Sequence, residues 1–215
     1  MRIGNVLSIN NKLSNYVLDA LDKSKVDSIA GMDEYCHTKS IFAVTSTSAT
    51  SHGLLTSDRL GMFDYCIDEA GQLTEPQVLG PLRKCRKFVL VGDNYQLPPL
   101  VQCRESARKG MSVSLFEKLA LKYETLAVKA LTIQYRMNTY ILDLSNELTY
   151  SGKMKCANDM IAQRRIKLAR LIEDKSMKDW LKCALSPDKT VILLNIDALY
   201  SESECLILCF WNVFF

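Results

Sequence analysis

"FDYCIDEAGQ", residues 63–72, sets two adjacent carboxylates, Asp68 and Glu69, directly behind an apolar run. A short apolar run bounded by small residues predicts a strand of a covered, parallel sheet. In such sheets ligands bind beyond the carboxyl ends of the strands, so the two acids fall where chemistry usually takes place. Asp followed by Glu suits phosphoryl transfer: one carboxylate ligates a Mg²⁺ ion, and the second group orients or deprotonates an attacking water. The competing reading is an acidic turn that caps the helix following "AGQLTE".

Outward from that strand, the chain alternates strand and helix patterns. "IFAVT" (41–45), "MFDYCI" (62–67), "KFVLVG" (87–92) and "ALTIQYR" (130–136) read as strands. "NNKLSNYVLDALDKS" (10–24), "VSLFEKLALK" (113–122) and "NTYILDLSNELTY" (138–150) have helical apolar spacing, and "SATSHG" (48–53) is a polar loop. Strands alternating with helices predict βαβ units, hence an α/β fold with a parallel sheet flanked by helices. After Gly152 the texture changes to a long helical pattern over 158–184, followed by a new strand, "TVILLNI" (190–196). This places a domain boundary at about residue 150, with an incomplete second unit over 151–215.

The chain has 215 residues and 48% hydrophobic content, enough for one full α/β core and part of another. Its net charge is only +3, but residues 151–190 hold 10 Lys/Arg against 5 Asp/Glu. A basic segment beside a neutral domain permits a polyanionic partner, and a solvated helix face is the equal alternative. Eight scattered cysteines without a C-x-x-C pair argue for reduced, mostly buried thiols and against a disulfide framework or a local zinc or iron-sulfur site. "CLILCFWNVFF" (205–215) is too short for a bilayer span of about 20 residues, so no membrane association is expected.

Two further stretches carry chemistry. In "FVLVGDNYQLPPL" (88–100) a buried strand ends in Gly92-Asp93, and Gln96 follows in a loop pinned by Pro98 and Pro99, which suits an amide that senses a ligand oxygen. An ordinary Asp/Asn turn is the alternative. In "TIQYRMN" (132–138) Arg136 stands at a strand-to-helix junction, where a guanidinium can reach a transferring phosphate; a surface salt bridge is the alternative.

Taken in order, "DEAGQ", "VGDNYQLPP" and "QYRMN" resemble motifs II, III and IV of superfamily 1 helicases. "FDYCIDEAGQLTEPQVLGPL", "KFVLVGDNYQLPPLV" and "LTIQYRMNTYILDLSNELTYSGKM" are similar to the helicase part of the DNA replication helicase/nuclease family. The resemblance is close from about residue 40 to residue 156, fades in the basic helix, and returns weakly at "TVILLNIDA". It implies a RecA-like first domain over 1–150, partial in this chain, then a linker helix and the start of a second RecA-like domain over 151–215. It also implies that Asp68 ligates the Mg²⁺ of ATP, Glu69 activates the hydrolytic water, Gln96 senses the γ-phosphate, Asp93 supports that loop, and Arg136 acts on the transition-state charge. "AVTSTSATSHG" (43–53) resembles the family's Thr-rich strand-end motif, with Thr45 and Ser46 as the matching contacts to single-stranded DNA; a capped turn is the alternative. The implied activity is ATP-dependent, 5′ to 3′ movement on single-stranded DNA in replication and repair, in the nucleus and also the mitochondrion, among the replication and repair partners of the parent enzyme. A non-catalytic module binding a single strand or a partner, and a related RNA helicase, are the alternatives.

The sequence departs from the family in three ways. No G-x-x-x-x-G-K-[ST] loop is present, nor motifs V and VI, nor the nuclease half with its iron-sulfur cysteines, so an iron-sulfur cluster is not expected and the chain reads as an internal fragment inactive by itself. "FDYCIDEA" is one apolar residue shorter than the family's strand, which would turn Asp68 away unless the strand re-registers from Gly61. Gly71 stands where the family has a small hydroxyl residue.

Overall fold

The computed structural model describes residues 1–3, 11–18, 28–57, 60–165 and 178–192. The chain divides into two compact units, Met1–Val128 and Lys129–Phe215. Residue 150, the boundary expected from the sequence, lies within the second.

In the first unit, Met1–Ile3 runs between two other segments. Arg2 bridges Val17 on one side and Ala43 on the other, both in parallel. Among the described residues, the expected strand "IFAVT" contributes this single bridge. Where a helix was expected over 10–24, a 3₁₀ turn spans Asn11–Tyr16 and hands over to the bridge at Val17; residues 19–27 lie outside the described residues. Helix α1 (Ile29–His37) is capped by the Ser28 hydroxyl, which accepts the Gly31 N–H, and α2 (Ser46–Ser51) follows the Ala43 bridge. Ile3, Leu18, Cys36, Ala49 and Leu55 form the core here, with Phe42, Val44 and Phe63 packed against it.

Strand β1 (Phe63–Ile67), helix α3 (Glu75–Leu82) and strand β2 (Cys85–Leu90) make a βαβ unit whose strands pair in parallel. Helix α3 starts where the sequence signals it: Thr74 and Gln77 form a capping box, and Pro76 occupies the first turn, where its missing N–H costs nothing. Its Val78 joins Ile67 and Ala70 in a second core cluster, closed by Leu73, Leu90, Leu115 and Phe116. Leu115 and Phe116 come from α4 (Leu115–Lys122), capped by Ser114 and tied to α3 by the Lys118–Glu75 ion pair.

The ladder between β1 and β2 slips by one residue at its start: Phe63 faces Cys85, but Asp64 faces Lys87, leaving Arg86 unmatched. This irregularity places the extra residue on β2. Along β1 itself the burial alternates. Phe63, Tyr65 and Ile67 turn toward the core, whereas Asp64 and Cys66 are exposed, and Asp68 is exposed too. The carboxylate is thus kept out of the covered side, where leaving it unpaired would cost several kcal/mol.

Two burial expectations are corrected. β2 was expected to be buried, yet Phe88 and Val89 are 48% and 59% exposed, because its sheet has only two strands among the described residues. The thiols were expected to be mostly buried. Of the six described cysteines, all free, only Cys36 is buried, while Cys66, Cys103 and Cys183 are exposed. Cys66 is exposed for the same reason as Asp64, lying on the uncovered phase of β1.

The second unit holds a short parallel pair, β3 (Ile133–Gln134) with β4 (Lys155–Cys156), and helix α5 (Thr139–Ser145), which continues as a wider π-helical turn over Asn146–Tyr150. Helix α6 (Asp159–Ala162) follows, and Leu142 and Ile161 are the buried apolar residues. Only the two ends of the expected 158–184 helix are described, as α6 and as α7 (Asp179–Ala184); most of "TVILLNI" is likewise outside the described residues. No helix among the described residues is long and apolar enough to cross a membrane.

Candidate functional site

The carboxyl ends of β1 and β2 lie side by side. Ile67 pairs with Leu90, the Val91 N–H donates to the Ile67 carbonyl at 2.8 Å, and the Ala70 N–H donates to the Val91 carbonyl at 2.8 Å. The ladder therefore runs one rung past both strands and fixes the "DEAG" turn against the "GD" turn. Their backbones touch. A Cβ on Gly71 would stand 2.9 Å from the Asp93 carbonyl oxygen, and a Cβ on Gly92 would stand 2.9 Å from the Gly71 nitrogen. Only two glycines allow so close an approach.

On this seam sit four of the residues singled out in the sequence. Asp68 Oδ1 accepts the N–H of Glu69 at 3.0 Å. Glu69 takes the left-handed conformation, φ 51°, unusual for a non-glycine residue, and its Oε2 accepts from Gln72 Nε2 at 2.9 Å. Asp93 closes the neighbouring loop: Oδ1 accepts the Tyr95 N–H at 2.9 Å, and Oδ2 accepts from Gln96 Nε2 at 3.0 Å. All four side chains are exposed or half-exposed at the rim. The arrangement puts two carboxylates and an oriented amide at one sheet end, while Asp93 holds the amide in place.

The acids do not form a metal cage: no group of three or more His, Cys, Asp or Glu gathers among the described residues. Mg²⁺ does not need one. It keeps several waters and takes one or two carboxylates plus substrate phosphates, and Asp68, with one oxygen on a local N–H, has the other left for such a ligand.

Arg136 belongs to the second unit and is exposed. Its position is set by a residue that the sequence reading passed over. Gln134 is buried, and its side-chain carbonyl accepts the N–H groups of Arg136 at 2.8 Å and Met137 at 2.7 Å. Its amide donates to the Met137 carbonyl at 2.8 Å and contacts Cys156 Sγ at 3.2 Å. One side chain thereby folds the whole turn. The available signal was a polar residue inside an apolar strand pattern.

Thr45 and Ser46 begin α2. The Thr45 hydroxyl accepts the Ser48 N–H at 3.2 Å and donates to the Ser48 hydroxyl at 3.0 Å, so it acts as the helix cap; Ser46 is half-buried.

Comparison with known proteins adds the following. Two family models, each described as an AAA domain, match residues 11–104 and 111–205. The chain is similar to the DNA replication ATP-dependent helicase/nuclease of Homo sapiens, 38% identical over 208 residues, covering 92% of this chain and 19% of the relative. It is 36% identical over 204 residues to that of Gallus gallus, covering 92% of this chain and 20% of the relative. Against that of Saccharomyces cerevisiae it is 41% identical over 143 residues, covering 63% of this chain and 9% of the relative. The chain thus spans about one fifth or less of the length of the relatives it matches.

Proposed function

The chain belongs to the AAA-domain helicases, and on that premise we propose that it carries part of an ATP-driven motor that moves 5′ to 3′ on single-stranded DNA in replication and repair. The observation that carries this reading is the Gly71–Gly92 seam, which brings the two acids and the Asp93-held amide to one sheet end. In this reading residues 1–150 supply part of a first RecA-like domain, and 151–215 a linker helix and the start of a second. The parent enzyme acts in the nucleus, among replication and repair proteins.

The roles follow from the chemistry of each group. Mg²⁺, when bound, neutralises and orients the β- and γ-phosphates of ATP. Asp68 binds that ion through one carboxylate oxygen. Glu69 takes the proton of the attacking water, and its left-handed backbone turns the carboxylate out of the strand line. Gln96 directs its amide at the γ-phosphate, and Asp93 keeps that amide from rotating away. Arg136, anchored through Gln134, offsets the charge that develops as the phosphoryl group transfers. Thr45 and Ser46 offer hydroxyls to the phosphates of the strand, contacts that give affinity without sequence choice.

One observation supports a second reading. The 215 residues contain no G-x-x-x-x-G-K-[ST] loop, the usual backbone cradle for the polyphosphate, which favours a strand- or partner-binding module without hydrolysis of its own. Titration of the chain with Mg²⁺-ATP, followed by amide NMR, tests the first reading. Weak binding, at millimolar nucleotide, with shifts confined to residues 68–72 and 92–96 of the first unit and abolished in D68N, is the expected result. Shifts elsewhere that survive D68N refute it. Salt-dependent binding to single-stranded DNA against RNA tests the substrate; equal affinity removes the DNA assignment.

A further inference from the structure

Three arginines gather around the start of α5, and contacts place the guanidinium groups of Arg164 and Arg165 there. Arg136 lies two residues before the α5 cap, Asn138, and Arg164 Nη1 donates to the Arg136 carbonyl at 3.5 Å. Arg165 Nη1 donates to the Arg164 carbonyl at 3.0 Å, and its guanidinium lies 5.1 Å from the centre of the Tyr140 ring. The segment that carries Arg164 and Arg165 is tied to α5 by two further bonds. Asn138 Nδ2 donates to the Arg164 carbonyl at 3.0 Å, and the Thr139 hydroxyl donates to the Ala162 carbonyl at 3.2 Å. The gathering is therefore built by backbone anchors, one of them from a buried asparagine, and not by chance contact of long side chains.

Among the described residues, no carboxylate forms an ion pair with any of the three. Holding like charges together without an acid raises the energy of the free chain, and an anion relieves it. The shape of the groups narrows the anion. Guanidinium forks match phosphate oxygens in pairs, and a guanidinium lying on a tyrosine, as Arg165 does, keeps the N–H groups other than its Nη1 bond to the Arg164 carbonyl for such bonds. Tyr135 and Tyr140, 67% and 57% exposed, stand beside the charges as aromatic surface.

We propose that Arg164 and Arg165 extend Arg136 into one phosphate-binding cluster on the second unit, taking phosphate oxygens either of a nucleoside polyphosphate or of a nucleic-acid strand. The cluster does not depend on the motor reading, since a chain that never hydrolyses ATP can still bind phosphate there.

The test compares the 215-residue chain with its R164Q/R165Q variant and with R104Q/R108Q, which removes the same charge from exposed positions of the first unit. Each is titrated, without Mg²⁺, with sodium tripolyphosphate and with a labelled single-stranded oligonucleotide over a range of salt. Leaving out the metal makes the outcome independent of Asp68. R164Q/R165Q loses about tenfold or more in affinity for at least one probe, and R104Q/R108Q less than about twofold. If the strand is the ligand, the slope of log K against log salt also falls by roughly 1.4. R164K/R165K, which keeps the charge and loses the fork, restores only part of the loss. A loss confined to tripolyphosphate assigns the nucleotide, and a loss that includes the oligonucleotide assigns the strand. Equal losses in the two glutamine variants, or unchanged binding of both probes, would overturn the cluster. Circular dichroism of each variant confirms that the comparison is between folded chains.

Discussion

Gln134 holds Arg136 by its backbone: the buried side-chain carbonyl accepts the Arg136 N–H at 2.8 Å while the Arg136 guanidinium stays exposed. The division of labour is physical. A long cationic side chain in water has many rotamers, so what the fold can fix cheaply is the point from which it starts. The same carbonyl takes the Met137 N–H and the amide returns to the Met137 carbonyl, so one side chain satisfies three backbone groups of the turn.

Removing that clamp therefore has a local and measurable effect. Q134A leaves two N–H groups and a carbonyl without partners and costs about 1–3 kcal/mol. Urea denaturation reads the loss, and hydrogen exchange of the Met137 amide localises it. Q134E, which keeps the acceptor, retains protection at Met137 and at Arg136. Equal exchange at Met137 in wild type and Q134A would show that the clamp does not organise the turn.

The seam between the two acidic loops gives a second prediction. A Cβ at position 71 meets a backbone oxygen, Asp93 O, at 2.9 Å, and backbone cannot swing aside as a side-chain end can. G71A accordingly destabilises the first unit by about 1–3 kcal/mol, the range for overpacking, and displaces the 92–96 loop. Thermal melting measures the first effect, and the Gln96 side-chain amide resonance reports the second. A serine at 71, which carries the same Cβ, behaves like alanine here. An unchanged melting temperature in G71A contradicts the close approach.

Part of this was legible in the sequence and part was not. "FDYCI" and the "VGD" that ends the next strand read as parallel strand ends because apolar runs bounded by small residues have few other solutions, and both strands stand there. Support of the Gln96 loop by Asp93 was legible only through the resemblance, and the structure shows the bond that the three-residue spacing permits. The irregular pairing of β1 with β2 was not legible, since no local pattern says which residue of a partner strand is left over, here Arg86. The exposure of Cys66 and Val89 depends on how many strands flank the pair, which no strand encodes by itself. Arg164 and Arg165 read equally as part of a polyanion-binding segment and as a solvated helix face, because the bonds that tie their segment to α5 come from residues more than twenty positions away.

Arg86 and Asp64 make a pH prediction. The unmatched arginine forks onto Asp64, Nε to Oδ1 at 3.0 Å and Nη2 to Oδ2 at 2.9 Å, and this hydrogen-bonded pairing holds the Asp64 carboxyl below its ordinary 3.8. A carboxyl with a lowered pKa in the folded chain stabilises it above the unfolded value and loses that contribution as pH falls through the folded one. The wild-type chain is therefore more stable than R86Q at neutral pH, and the difference fades below about pH 4. Both side chains are exposed, so the effect is small and shrinks further at high salt. Urea midpoints of the two chains from pH 7 to pH 3 decide it; a gap that grows toward acid pH would reverse the sign and refute the pairing.

Among the described thiols, Cys103 is the exposed one whose pKa is lowered. Hydrogen bonds from the Ser106 hydroxyl, and then from the Ser106 and Glu105 N–H groups, lower its pKa, whereas burial and the Asp33 carboxylate raise that of Cys36. Limited alkylation at neutral pH, read by mass spectrometry, labels Cys103 well before Cys36, and S106A slows the labelling of Cys103. Labelling of Cys36 first contradicts this order.

The central claim is that Asp68 and Gln96, at the joined ends of β1 and β2, act on one bound nucleotide. A crystal structure of the chain grown with Mg²⁺ and a non-hydrolysable ATP analogue tests it most directly. The expected result is the Asp68 carboxylate on the metal and the Gln96 amide on the terminal phosphate. A nucleotide bound away from the ends of β1 and β2, or one that touches neither Asp68 nor Gln96, would contradict it.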